Sequence, residues 1–280
     1  MYNFDFHRPA SVEEAARVLR SGNDTKLLAG GQTLLPTMKQ RLAAPKALVD
    51  LGAIGGLGTI EHAGGSLVMA GQDMVLRGGT LTIGALARHA EVAESPDVRA
   101  SIPALAKLAA GIGDPAVRNR GTLGGSIANN DPAADYPAAC VAIGATIVTN
   151  KREISADQFF AGLFETALEG DEIILRVQFP VPSRAAYAKF RHPASRFAIV
   201  GVFVADRRSD VRVAVTGASQ SGVFRVAAME QALTERFSPD AIRGIKIDSA
   251  NFVSDIHAAA DYRAHLVGVM ARRAVAAAAA

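Results

Sequence analysis

The 280-residue sequence predicts an α+β protein built in two parts, and three observations carry that prediction. Short apolar runs alternate with amphipathic helical stretches as far as Pro180. Beyond it "AYAKFR", "FAIVGVFVAD" and "VRVAVTGAS" read as successive strands of an antiparallel sheet. Two helical stretches, "VAAMEQALTERF" and "DYRAHLVGVMARRAVA", then follow. The pattern changes at Pro180 to Pro182, the best boundary in the chain. A chain of this length can bury a sizeable core and divides into two or three units.

The elements follow in order. "SVEEAARVL" opens the first helix: Ser11 and Glu14 have capping-box spacing, and Val12, Ala15, Ala16 and Leu19 share one face. Lys26 to Ala29 reads as a buried strand, Gly30 to Thr33 as a tight turn, Leu34 to Leu42 as a helix with Pro36 in its first turn, and Ala47 to Leu51 as a second strand. Glycines from Gly52 to Gly79 break short apolar pieces such as "SLVMA" into turns and strands. "TLTIGALARHAEVAES" is a strand entering a helix, and "ASIPALAKLAAGIG" is a further amphipathic helix. Asp131 and Pro132 suit the N-cap and first position of a helix running through Ile143. "ATIVTN" and "DEIILRVQFP" are strands, the second ending at a proline. The terminal "AVAAAAA" reads as a fraying helix end.

Composition narrows the function. The chain is 49% hydrophobic and 20% charged, a globular composition. Its formal charge of +3 comes from 30 Lys and Arg against 27 Asp and Glu, scattered without a polybasic block, which disfavours nucleic acid. The one cysteine, Cys140, lies in the apolar run "PAACVAIGA"; alone it can neither form an internal disulfide nor hold an iron–sulfur cluster, and it reads as a core residue. The N-terminus lacks the pattern of a signal peptide. No uncharged apolar run approaches the roughly 18 residues of a membrane span, so a cytoplasmic protein is expected.

The chemistry concentrates in "AGGQT", Ala29 to Thr33, and "TLGGS", Thr122 to Ser126. Each pairs two glycines with a hydroxyl residue and is followed by a helix. A single such turn is ordinary turn chemistry. Two facing each other, one preceded by Arg118 and Arg120, suit the pyrophosphate of a dinucleotide. No G-x-G-x-x-G follows a strand and neither turn ends in Gly-Lys-Ser or Gly-Lys-Thr, which disfavours a Rossmann site or a P-loop. Asp131 reads as a cap. Asp135, one turn further, is open between a first-turn acid and a cofactor contact. The histidines show no metal spacing, and Ser126 reads as a donor in a nest rather than a nucleophile.

"AGGQTLLPTMKQRL", "RNRGTLGGSIANNDPAADYPA" and "DIHAAADYRAHLVGVMARRA" together resemble the FAD-binding medium subunit of molybdenum-containing hydroxylases, the group of aerobic carbon monoxide dehydrogenase and xanthine dehydrogenase. The resemblance spans essentially the whole chain. Thr33 stands where serine is expected, Leu123 where isoleucine is usual, and Gly64 to Gly79 is longer than the tight form. The resemblance implies a PCMH-type FAD-binding fold over residues 1–178, with two α/β subdomains at about 1–54 and 55–178. A C-terminal domain, 179–280, of a three-stranded antiparallel sheet plus a helix bundle would follow. FAD would lie between the subdomains. Leu28, Ala29, Gly30, Gly31, Gln32, Thr33 and Leu34, with Thr122, Leu123, Gly124, Gly125 and Ser126, would hold its pyrophosphate and adjoining parts. Asp135 would be a cofactor contact, Ile112 and Ile174 would pack near the ring system, and Lys189 would lie close to the flavin.

The same resemblance implies an electron-transfer role. Electrons would come from a partner iron–sulfur small subunit and pass to an external acceptor, with molybdopterin cofactor and [2Fe-2S] clusters only in partner subunits, in a dimer of heterotrimers with a molybdenum large subunit. No acid–base catalyst is assigned. Two other functions stay open: a self-sufficient FAD-dependent oxidoreductase acting directly on a small substrate, and a non-catalytic nucleotide-binding assembly subunit.

Overall fold

The computed structural model describes residues 1–70 and 73–280. The first unit contains β1 (Asp5–His7), α1 (Val12–Ser21), β2 (Thr25–Leu28), α2 (Leu34–Lys39) and β3 (Ala47–Asp50). Its three strands form a parallel sheet in the order β1-β3-β2. Ser11 caps α1 by accepting from the Glu14 N–H at 3.2 Å, while the Glu14 carboxylate reaches back to the N–H of Ala10 at 2.9 Å, one residue before the expected partner. Ala15 and Ala16 bury the apolar face against Val49 and Leu51. The helix after the first glycine turn stops at Lys39, not Leu42, because the Leu42 N–H turns back to Thr37 O and Arg41 adopts a φ of 64°.

The second unit holds β4 (Ile60–Ala63), β5 (Ser66–Ala70), β6 (Asp73–Arg77), β7 (Thr80–Gly84), α3 (His89–Glu94), α4 (Pro96–Ser101), α5 (Pro103–Ala110), α6 (Pro115–Arg118), α7 (Leu123–Asn129) and α8 (Tyr136–Ile143). It continues through β8 (Thr146–Thr149), β9 (Glu153–Ser155), α9 (Ala156–Phe159), β10 (Phe160–Gly162), β11 (Glu165–Thr166) and β12 (Ile174–Pro180). An antiparallel sheet of order β4-β7-β12-β8-β9 is its backbone, and β5 pairs with β6 as a hairpin. Within the glycine-rich Gly64 to Gly79 stretch, residues 71 and 72 lie outside the described residues. Every residue of α8 is buried, Cys140 included, as expected of a helix that is apolar all round.

The start of α8 differs from expectation. Asp131 and Pro132 do not open α8; the Asp131 carboxylate accepts from the Ala133 N–H at 2.8 Å in a local turn, and the helix begins at Tyr136 with Pro137 in its first turn. Asx turns compete with N-caps for the same short carboxylate, and here the turn wins. Asp135 therefore occupies the N-cap position without making a cap bond, which leaves its carboxylate free for other partners.

The last unit is a sheet of β13 (Arg184–Arg191), β14 (Ala198–Asp206) and β15 (Val211–Thr216) with a two-residue fourth strand, β16 (Phe224–Arg225), followed by α10 (Ala227–Glu235) and α11 (Ala260–Ala279). The expected three strands are present and β16 adds to them. Side chains alternate along β14: Val200, Val202 and Val204 join the core under α10 and α11, while Phe203 and Ala205 join the core of the second unit under α8. Burying each such valine stabilises by roughly 1.5–3 kcal/mol, so this strand welds the two units together. The alanine-rich end of α11 joins that core at its start, where Ala274 and Val275 are fully buried, while Ala276, Ala277, Ala279 and Ala280 are exposed.

Candidate functional site

A cavity of about 650 Å³ opens where the three units meet. The turn Lys26 to Leu34 forms one wall, Thr122 with Gly124 to Ser126 a second, and Ile112, Asp135, Leu168 and Ile174 further parts of the lining. Ser195 to Phe197, from the loop joining β13 and β14, reach in from the last unit.

The two glycine turns meet, as their sequences suggest, but they offer different things. In the first, the N–H groups of Gly30, Gly31, Gln32 and Thr33 have no hydrogen-bond partner among the described residues, and Gly31 has a φ of 72°. Such a run of free amides is an anion-binding concavity. Gly30 lies so close to the other segment that a Cβ there would sit 2.0 Å from Arg120 O.

In the second, the glycines are not ahead of a helix but inside the first turn of α7. Its amides are already used: Leu123 N–H donates to Ala87 O, Gly124 N–H to Ala85 O, Gly125 N–H to Thr122 Oγ1 and Ser126 N–H to Thr122 O. Gly124 serves packing, because a Cβ there would lie 2.6 Å from that of Ala85. Gly125 faces Ala29 across the cavity wall.

Arg118, expected to add positive potential, does something else. Its Nη1 donates to Ile112 O at 3.1 Å and Gly113 O at 3.0 Å, so it holds the 112–113 loop in place instead of facing an anion. Arg120 is exposed.

Asp135 sits at the centre of a buried cluster from two units. Tyr187 Oη donates to its Oδ1 at 2.5 Å, and Lys189 Nζ lies 2.9 Å from Oδ1 and 3.1 Å from Oδ2. Lys189 Nζ also donates to Gly111 O at 3.0 Å. Burial raises the Asp135 pKa, and the charge of Lys189 and the hydrogen bonds from Tyr187 and Lys189 pull it back. Burial and the neighbouring carboxylate push Tyr187 well above the usual phenol range, so it remains a donor. Tyr187 and Lys189 are two apart on β13 and therefore share a face, the one turned to the second unit, where β13 packs on α5. Gly201 makes room: a Cβ there would come within 2.2 Å of Tyr187 Oη.

Two participants escaped the sequence reading. Tyr187 was legible only as a residue of the strand "AYAKFR". His89 is buried beside Tyr136, with ring centroids 5.4 Å apart, and lines the cavity. Burial, with a smaller contribution from the Arg118 charge, lowers its pKa to about 4, so it is neutral at pH 7; its Nδ1 has no partner among the described residues.

Of the residues singled out from the sequence, Leu28 to Leu34, Ile112, Thr122, Gly124, Gly125, Ser126, Asp135 and Ile174 line this one cavity. Leu123 does not; its side chain is fully buried in the core of the second unit. Lys189 does not line it either, and reaches it through Asp135. No group of three or more metal-ligating side chains occurs among the described residues.

Residues 2–182 match the family described as the FAD binding domain in molybdopterin dehydrogenase. The chain is 37% identical to the nicotine 6-hydroxylase medium subunit of Paenarthrobacter nicotinovorans, over 95% of this chain and 94% of that one. It is 34% identical to the carbon monoxide dehydrogenase medium chain of Hydrogenophaga pseudoflava, over 97% and 96%. The solved structure of carbon monoxide dehydrogenase from that organism superposes with a TM-score of 0.85 at 35% identity, covering 99% of this chain and 97% of the other. Quinoline 2-oxidoreductase from Pseudomonas putida 86 gives 0.84 at 28% identity, covering 99% and 97%.

Proposed function

The chain belongs to the family of FAD-binding domains of molybdopterin dehydrogenases, and we propose that it is the electron-transfer subunit of a molybdenum hydroxylase, taking electrons from an iron–sulfur partner and passing them to an external acceptor. The observation that carries this is the cavity wall at Gly30 to Thr33, four unused amides on a backbone that tolerates no side chain at Gly30. A cavity of about 650 Å³ is of the size that encloses a small-molecule cofactor. FAD supplies the redox chemistry, accepting and releasing electrons; the protein binds, orients and shields it.

In this proposal the amides of Gly30 to Thr33 bind the pyrophosphate, with the Ser126 hydroxyl and the close approach allowed by Gly125 completing the cradle. Ile112 and Ile174 pack on the ring system. Asp135 presents a fixed polar contact, and Lys189 with Tyr187 keeps it in place. Partner subunits carry the molybdopterin cofactor and the [2Fe-2S] clusters, in a dimer of heterotrimers. No helix among the described residues is long and apolar enough to cross a membrane.

Denaturing the purified protein and identifying what it releases tests the cofactor: noncovalent FAD is expected, and FMN, a retained covalent flavin or no flavin in the intact complex counts against it. Anaerobic addition of substrate tests the role. Flavin absorbance should bleach only when the iron–sulfur and molybdenum partners are present, and bleaching of the isolated chain would sink the electron-transfer assignment.

A further inference from the structure

The function proposed above gives no part to His89, yet this side chain is built into the wall of the cofactor cavity. His89 opens α3, and its N–H donates to Gly121 O at 3.0 Å while Arg88 and Thr122 pair as an isolated bridge, so the start of that helix is fastened to the second glycine segment. Gly121 leaves room for the ring, because a Cβ there would lie 2.6 Å from His89 Nε2. The same glycine backs the first glycine turn: a Cβ on Gly30 would meet Gly121 Cα at 2.8 Å. On its other side the imidazole packs at 45° to the ring of Tyr136, the residue after Asp135. His89 therefore stands between the free amides of Gly30 to Thr33 and the Asp135 cluster.

The residue is 5% exposed, and its side chain makes no hydrogen bond among the described residues. Nδ1 is enclosed, as is the unpartnered Tyr136 Oη; Nε2 is not enclosed, and it is the nitrogen that reaches the cavity. Leaving a buried polar group without a partner costs about 1–3 kcal/mol, so an open nitrogen in a cavity wall marks the place of a ligand atom. Burial, with the smaller effect of the Arg118 charge, keeps the ring neutral at pH 7. A neutral imidazole has one donor and one acceptor nitrogen, and it suits a group that can both give and take a hydrogen bond. A hydroxyl is such a group. A phosphate only accepts and favours a charged donor, and the turn at Gly30 to Thr33 already offers it four amides.

We propose that His89 Nε2 hydrogen-bonds a hydroxyl of the ribityl chain of FAD and so fixes the stretch between pyrophosphate and ring, a proposal that rests on FAD occupying this cavity. The ribityl chain joins those two parts of the cofactor and carries hydroxyls at its 2′, 3′ and 4′ carbons. With the pyrophosphate at Gly30 to Thr33 and the ring towards Asp135, Ile112 and Ile174, that chain passes the position His89 holds. Gly121 sets how deep the imidazole sits and Tyr136 braces its far face.

The test is a cycle between protein and cofactor that needs no turnover. The full chain is stripped of flavin and reloaded with FAD, with its 2′-, 3′- and 4′-deoxyribityl analogues, or with FAD carrying deoxyribose in its adenosine half, and each affinity is read from the quenching of flavin fluorescence. In the parent, one deoxyribityl analogue should bind about tenfold more weakly than FAD, the order of one hydrogen bond. His89→Leu should bind FAD about tenfold more weakly as well, and should no longer distinguish that analogue from FAD. His89→Gln, whose amide nitrogen takes the place of Nε2, should restore most of the distinction, while His89→Asn, whose amide stands in the place of Nδ1, should not. Should His89→Leu fail to fold in flavin-free melts, the Gln and Asn variants carry the same comparison, and equal discrimination by both would overturn the proposal. Additive losses for all three ribityl analogues, or coupling to the deoxyribose analogue alone, would also overturn it. A parent chain that binds no FAD would overturn the cofactor assignment along with this contact, whereas tight FAD binding without coupling would overturn the contact alone.

Discussion

Replacing Lys189 by Met removes the cation that pairs with Asp135. The carboxylate is 5% exposed and the Lys189 side chain 8%, so neither group is rescued by water. Breaking a buried pair by removing one partner costs about 3–5 kcal/mol, and the hydrogen bond to Gly111 O adds about 1 kcal/mol. Removing both charges should cost much less, because Asp135→Asn combined with Lys189→Met leaves an amide that still accepts from Tyr187 and no isolated charge; about 1–2 kcal/mol is expected. The measurement is urea unfolding followed by circular dichroism at pH 7, with the two single variants and the double in one cycle. Acidification gives an independent check. Burial already raises the Asp135 pKa, and loss of Lys189 raises it further, so the folded variant binds more protons than the unfolded chain above the ordinary carboxylate value of 3.8. The deficit of Lys189→Met should therefore be largest at neutral pH and shrink as pH falls towards 4. A single variant within about 1 kcal/mol of the parent, or a double variant no better than Lys189→Met, would refute the idea that Lys189 sustains the charge at Asp135.

Other outcomes follow from the same geometry. His89 is held neutral with a pKa of about 4, below the ordinary 6.5, so the unfolded chain takes up a proton that the folded chain refuses; stability should fall as pH drops from 6.5 to 4, by up to about 3 kcal/mol, and His89→Gln should flatten that slope in pH-dependent melts. Gly30→Ala places a Cβ against Arg120 O and should both release FAD and lower the urea midpoint, whereas Gly125→Ala, whose Cβ meets only Thr122 Oγ1 at 2.9 Å and Ala29 at 3.8 Å, should weaken FAD binding with stability kept within about 1 kcal/mol. Gly124→Val should destabilise the fold itself by about 1–3 kcal/mol or more, because Ala85 already fills the space; thermal melts without cofactor would show it.

Much of the fold is local and was readable. The cap at Ser11, the strand–turn–helix at Thr25 to Lys39 and the apolar α8 each depend on residues within a few positions of one another, so spacing and residue type suffice. The strand alternation in "FAIVGVFVAD" was also visible as strand, although not that both faces are buried; that depends on helices from residues 136–143 and 260–279 arriving on opposite sides. Errors came where two local outcomes compete for one side chain. Asp131 can cap a helix or close an Asx turn, and the spacing alone favours neither.

By itself the sequence determined the two glycine segments, a single cysteine that cannot form an internal disulfide, the position of the change from mixed elements to strands then helices, and enough motif pattern to place the chain in its family. Tertiary structure alone decided which backbone amides remain free. The first glycine turn keeps its donors because no acceptor among the described residues takes them, while the second loses its donors to Ala85, Ala87 and Thr122. It alone turned Arg118 away from the cavity and brought Tyr187 and Lys189 to Asp135 across 52 and 54 residues. The physical reason is one of range: a cap or a turn is satisfied within a few residues, whereas a buried charge takes its partner from whichever element packs against it, and that choice is made only when the sheet of the last unit closes over α8.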